Sequence, residues 1–219
     1  MKAKIIILSL LIFFGSNLLY SQIIKDYGIK IGLTSSNIYV RNLKPIVDGN
    51  STYYVNYPSG QLISPTISLW AKLIENKIID LEIETSYILK GMSEAQTVHV
   101  STNPDGPFIE EKYDFSLTLK YIQINLNSQI KYDVEKIKLY GIVGPAVSYL
   151  LVNENFLMDK NKRKKIILGY NLGLGIDFSN LIDKNVFIEI KYNGDFTSFY
   201  SENADVWNKV LVFSIGTKF

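Results

Sequence analysis

Cysteine is absent from this 219-residue chain. That excludes a disulfide framework, a thiolate metal site and a lipid-bearing cysteine. Histidine occurs once, at His99, so there is no histidine cluster to hold a metal, and no glycine-rich phosphate loop is present. No cofactor is expected. An excess of one charge is missing too, with 23 basic residues against 21 acidic ones. Nucleic-acid binding requires a basic footprint that this balance does not supply. Past the first 21 residues no segment approaches about 18 consecutive apolar residues, the minimum for a membrane-spanning helix.

The N-terminus reads as an export signal. Lys2 and Lys4 precede an apolar run from Ile5 to Phe14, interrupted by Ser9, and small residues follow at Gly15 and Ser21. The run is too short for a membrane anchor and has the organisation of a cleaved secretory peptide. Residues 1–21 are expected to be removed, leaving 22–219 as one domain that begins at Gln22. Loss of Lys2 and Lys4 lowers the basic count to 21, so that this domain carries no formal net charge.

What the chain does contain is a period of two. Leu211, Phe213, Ile215, Thr217 and Phe219 fall on one face of the last segment, and Val212, Ser214, Gly216 and Lys218 on the other. Seven earlier segments alternate likewise, beginning with Tyr27–Val40 and Ile63–Ile74. In the third, Ile79, Leu81 and Ile83 oppose Asp80, Glu82 and Glu84; in the seventh, Ile188 and Ile190 oppose Glu189 and Lys191. Helices do not sustain this period. Eight strands of about ten residues suit an antiparallel up-and-down barrel that crosses a bilayer at a tilt. The fourth segment changes phase: Phe115, Leu117 and Leu119 are odd-numbered, whereas Ile122, Ile124 and Leu126 are even. A bulge near Lys120 and Tyr121, or a strand top standing clear of the membrane, is expected there.

Connections alternate between short and long. Glu75–Lys77, Asp133–Glu135 and the stretch 179–185 are short; 41–62, 91–114, 152–165 and 197–208 are long. Short turns with the termini on one side and long loops on the other is the outer-membrane layout. A lipocalin-like soluble barrel would show the same alternation with its faces reversed. The terminal Phe219, the loop asymmetry, and Tyr87, Tyr132, Phe178 and Tyr192 near strand ends favour the membrane. Phe219 is also the expected signal for the barrel-assembly machinery.

The runs YIQINLNSQIKY, KLYGIVGPAVSYLL, ILGYNLGLGIDF, VFIEIKYNGDF and FSIGTKF resemble the PorT-like outer-membrane β-barrel domain family. The likeness extends from about Tyr27 to Phe219 and is strongest after Tyr121. Asn125 departs from it, standing where family members often have proline. The resemblance implies an eight-stranded barrel in the cell outer membrane and carries no catalytic residue across. The family name is associated with protein secretion, which leaves secretion or envelope assembly as one role for this chain.

With the apolar face toward lipid, Lys30, Lys72, Lys90, Lys131, Lys138, Lys191 and Lys218 point inward, with Asp80, Glu82, Glu84, Asp177, Glu189 and Asp195. An eight-stranded barrel has an interior about filled by side chains, so these charges are expected to pair as a plug. Inward Gly32, Gly144, Gly169, Gly173, Gly175 and Gly216 are expected to make room for Trp70, Tyr121 and Tyr140.

The loops supply the remaining candidates. Lys160, Lys162, Arg163, Lys164 and Lys165 form a basic run in the third long loop, suited to lipopolysaccharide phosphates. Turn formers such as Pro45, Pro58 and Asn103–Pro107 flank Tyr53, Tyr54 and Tyr57 in the first two long loops, where contact with an envelope protein partner is expected. His99, with Ser93 and Ser101 nearby, is the sole acyl-chemistry candidate, but nothing supplies the orienting third group. The sequence thus favours a non-enzymatic, monomeric surface protein. A small-solute channel and a lipid-modifying enzyme are the alternatives.

Overall fold

A computed structural model describes residues 24–41, 46–48, 51–53, 60–100, 109–154, 163–182, 184–201 and 205–219. The strands are β1 (Asp26–Arg41), β2 (Ile46–Asp48), β3 (Ser51–Tyr53), β4 (Leu62–Glu75), β5 (Ile79–Val100), β6 (Ile109–Val134), β7 (Ile137–Glu154) and β8 (Ile166–Asp177). After a one-turn helix α1 (Ser179–Ile182) come β9 (Val186–Asp195), β10 (Tyr200–Ser201) and β11 (Asp205–Lys218). Sheet order β1-β4-β5-β6-β7-β8-β9-β11, with β11 pairing back to β1, closes an eight-stranded antiparallel barrel. β10 only extends the upper end of β11, and β2 and β3 form a separate small hairpin. The signal segment lies outside the described residues.

Closure removes every free edge from the wall, so backbone groups satisfy one another strand to strand. The last residue joins in: the Phe219 amide donates to the Tyr27 carbonyl at 2.9 Å, and the two rings lie 6.0 Å apart.

The orientation of the faces excludes the soluble alternative. Ile31, Leu33, Leu69, Leu174 and Phe213 are exposed on the outside, while Lys30, Glu82, Glu84 and Glu189 are buried within. A barrel in water would reverse this, since an apolar belt all around the wall needs an apolar solvent. Among the described residues no helix is long and apolar enough to cross a membrane. The wall itself is the membrane-facing element.

The fourth segment holds two findings. A register shift between β6 and β7 does fall at Lys120/Tyr121, and the unpaired extra residue is Leu151 of β7. The inner face of β6 nevertheless keeps one parity: Leu117, Leu119, Tyr121, Gln123, Asn125 and Asn127 are all buried. What changes at Tyr121 is the chemistry of the interior. Above it the inward residues are apolar.

β5 and β6 also outrun the expected strands. Their ladder continues to Val100↔Ile109, which turns most of the second long loop into a β-hairpin. His99 is therefore a strand residue, opposite Glu110 in register. An apolar belt ends lower on the wall than the strand does, because β-pairing needs a neighbouring backbone and not lipid.

Candidate functional site in the barrel interior

Three polar tiers, with an apolar one above them, fill the lumen. At the end that carries the short turns, Asp80 lies 2.9 Å from Lys72 and 2.7 Å from Lys131. Lys72 also approaches Asp26 at 3.7 Å, and Lys218 approaches Asp177 at 3.9 Å. Lys138 lines the half-open vestibule here with Trp70, Tyr140 and Phe187. Unlike the other expected members of the charge network, it forms no ion pair within 4 Å among the described residues.

The central tier is a closed cluster of two lysines and three glutamates. The Lys30 ammonium donates to Glu82 at 2.8 Å, Glu84 at 2.7 Å and Glu189 at 3.1 Å. Lys191 donates to both oxygens of Glu84, at 2.7 and 2.6 Å. Neutral donors complete the carboxylates: Ser86 and Asn125 reach Glu84, Asn127 and Gln129 reach Glu82, and Tyr140 reaches Glu189. Burying charge costs several kcal/mol per ion unless the geometry and extra hydrogen bonds compensate. Here both are present. Of the expected charge network, Lys30, Glu82, Glu84, Glu189 and Lys191 meet in this cluster, and Lys72, Asp80 and Lys131 meet below it.

Higher up, Lys90 pairs with Asp195 at 3.1 Å, and Asp195 accepts from Asn208 at 2.8 Å. A chain of hydrogen bonds links this pair to the centre, from Lys90 to Ser148, Gln123, Asn125 and Glu84. Two links are carboxamides, which hold no readily exchanged proton. The chain braces the wall better than it would relay protons. Above it lies an apolar cluster that includes Ile38, Met92, Leu117, Leu119, Phe199 and Val206. These apolar inward positions were missed as a tier, although the odd-numbered leucines of β6 were the signal.

Glycines make room for rings, at two of the expected positions (Gly175, for Tyr140 as expected, and Gly216) and not at the other four. A Cβ on Gly175 would lie 2.2 Å from the Tyr140 ring, and one on Gly216 would lie 2.2 Å from the Phe187 ring. Trp70 is seated over Gly28, which was not in the expected set. Each ring faces its glycine directly across a strand pair. At Gly32, Gly144, Gly169 and Gly173, as also at Gly28, the nearest obstacle is a neighbouring carbonyl, but no ring is among the close atoms at these four. No ring needs that space, and Tyr121 has no glycine partner of this kind.

The loop candidates fare unevenly. Lys160 and Lys162 lie outside the described residues, as do Pro45, Tyr54, Tyr57, Pro58 and Ser101. Arg163 forms an isolated backbone bridge with Tyr200, and Lys164 and Lys165 are exposed. Ser93 is exposed and sits opposite Ser116 in the ladder. No group of three or more metal-ligating side chains occurs among the described residues.

A model of the outer membrane protein β-barrel domain family matches residues 21–201. No curated protein matches the chain. Among solved structures it is similar to Ail, the attachment invasion locus protein of Yersinia pestis, at 17% identity and a TM-score of 0.41. That match covers 89% of this chain and 98% of the other. The outer membrane protein OprG of Pseudomonas aeruginosa is 14% identical with a TM-score of 0.47, covering 89% and 95%. The outer membrane protease OmpT of Escherichia coli is 13% identical with a TM-score of 0.39, covering 89% and 95%.

Proposed function

The chain belongs to the outer membrane protein β-barrel domain family, and from that premise we propose a non-enzymatic role in which the lumen is a static plug and the β5–β6 hairpin contacts an envelope partner. Its location is the cell outer membrane. The observation that carries the reading is the length of the hairpin. Lys120 marks the upper end of the apolar wall on β6, yet the ladder runs on for eleven residues to Ile109, about 35 Å of strand. Such length is not needed to join two wall strands, and long ordered projections on rigid scaffolds are where binding concentrates.

The likeness to PorT-like barrels supports a secretion or assembly complex as the setting, and fold alone assigns no task. Lys164 and Lys165, with Lys162 and Arg163, are suited to lipopolysaccharide phosphates beside that projection. A monomer is the expected state of the barrel. The test replaces residues 95–114 by a two-residue turn and compares cross-linked complexes from native membranes. Loss of a specific complex, with the barrel still heat-modifiable on gels, supports the reading. Unchanged complexes overturn it. The acyl-chemistry alternative at His99 predicts lipid turnover that disappears in His99→Ala.

A further inference from the structure

We propose that Lys209, with Asn37, Tyr39 and Trp207, forms an outer-leaflet site for the phosphorylated sugar headgroup of a glycolipid. The proposal rests on membership of the outer-membrane family and is independent of the hairpin reading.

The level of Lys209 on the wall is the first argument. It lies ten residues along β11 from Phe219, which at about 3.3 Å per residue and a tilt of about 40° is a rise of about 25 Å. That is the height of the apolar belt of such barrels. Leu211, Phe213 and Ile215 fill the outward positions below Lys209, all exposed. The ammonium therefore stands at the upper border of the hydrocarbon, on the side of the long connections, where headgroup phosphates lie.

Its surroundings are the second argument. Asn37 is opposite Lys209 and Tyr39 is opposite Trp207 in the β1–β11 ladder, which makes a four-residue patch of consecutive outward positions. The Lys209 ammonium sits 4.3 Å from the centre of the Tyr39 ring, and the Tyr39 and Trp207 rings are 6.3 Å apart. Lys209 makes no ion pair among the described residues. The next outward acid, Asp205, is four residues further up and faces Arg41 in register. A cation with no carboxylate partner among the described residues, set over the Tyr39 ring with Trp207 and Asn37 on the same outward patch, offers charge to a phosphate beside an aromatic border on which a sugar can pack. The outer leaflet presents both groups on one molecule, the phosphorylated disaccharide of lipid A.

A fluorescent reporter is built in. The chain has two tryptophans: Trp207 is in the patch, and Trp70 is buried in the lumen. The mature protein is reconstituted in phosphatidylcholine nanodiscs and titrated with lipid A, dephosphorylated lipid A or phosphatidylglycerol, while tryptophan emission and lipid retention by native mass spectrometry are followed. Lipid A is expected to give a saturable change that Lys209→Gln weakens about fivefold, the contribution of one lysine near an anionic surface. Lys209→Arg retains it. The other two lipids bind more weakly than lipid A. Wild-type behaviour in Lys209→Gln, or equal binding of dephosphorylated lipid A, overturns the phosphate site. Phosphatidylglycerol matching lipid A overturns the assignment to a glycolipid.

Discussion

Lys30 and Glu84 stand two strands apart on the barrel wall, yet the ammonium of one lies 2.7 Å from the carboxylate of the other. β4 separates their strands, so the bond crosses the lumen rather than running along the sheet. Lys30 also reaches Glu189 on β9, on the far side of the β1–β11 seam. One lysine of the first strand thus ties both flanks of the closing seam together.

Removing either partner should cost more than a surface ion pair does. Lys30→Met leaves three buried carboxylates facing Lys191 alone, and Glu84→Ala leaves Lys30 and Lys191 with fewer acceptors. Breaking a buried pair costs about 3–5 kcal/mol. Urea unfolding of the reconstituted barrel should show a loss of this order, with no gain of conductance. A change below about 1 kcal/mol, the range of an exposed pair, would mean that water screens the cluster.

Little or no steady ion conductance is expected from the wild-type barrel in planar bilayers. The charges of the central cluster are held in ion pairs, and Met92, Leu117 and Leu119, all fully buried, pack apolar side chains above it. Large stable single-channel currents would show that the interior is open.

Leu119→Ala tests the apolar tier directly. Truncating a buried leucine costs about 2–5 kcal/mol, depending on how far the cavity collapses. The same change at Leu174, which is 66% exposed on the outer wall, creates no internal cavity and should have a clearly smaller effect in a bilayer. Equal losses at the two sites would contradict the division between packed interior and lipid-facing wall.

Gly175→Ala should destabilise the barrel by about 1–3 kcal/mol, the usual cost of overpacking, because its Cβ would enter the Tyr140 ring. Tyr140→Ala removes that ring and its hydrogen bond to Glu189. The double variant should lose less than the two single losses combined. Strict additivity would show that the ring and the glycine are not coupled.

Deleting Phe219 should lower barrel yield in the cell envelope. The deletion removes the Phe219–Tyr27 backbone hydrogen bond and the paired rings at the lower rim. Phe219 is 68% exposed, so burial in the protein is not its role. Normal yield in cells would count against an assembly signal at this residue.

Much of the wall was legible because its signal is local. Ile29, Ile31 and Leu33 alternate with Lys30 and Gly32, and no other element produces that pattern over eight segments. The inward lysines and glutamates followed from the same parity. The hairpin was not legible, since alternation in Gln96–Val100 rests on Val98 and Val100 alone and the turn formers of Asn103–Pro107 mark the whole stretch as loop. Nor was Lys209, whose neighbour Tyr39 is distant in sequence and meets it only across the seam.

The sequence by itself determined the strand period, the balance of inward charge and the place of the short turns, because each depends on near neighbours along the chain. The tertiary structure decided which face meets lipid, which lysine meets which glutamate, and where polar packing gives way to apolar packing in the lumen. Those outcomes depend on the stagger with which eight strands close on one another. Stagger is a property of the whole ring: moving one strand by two residues keeps every side chain on its face and changes every partner across the lumen.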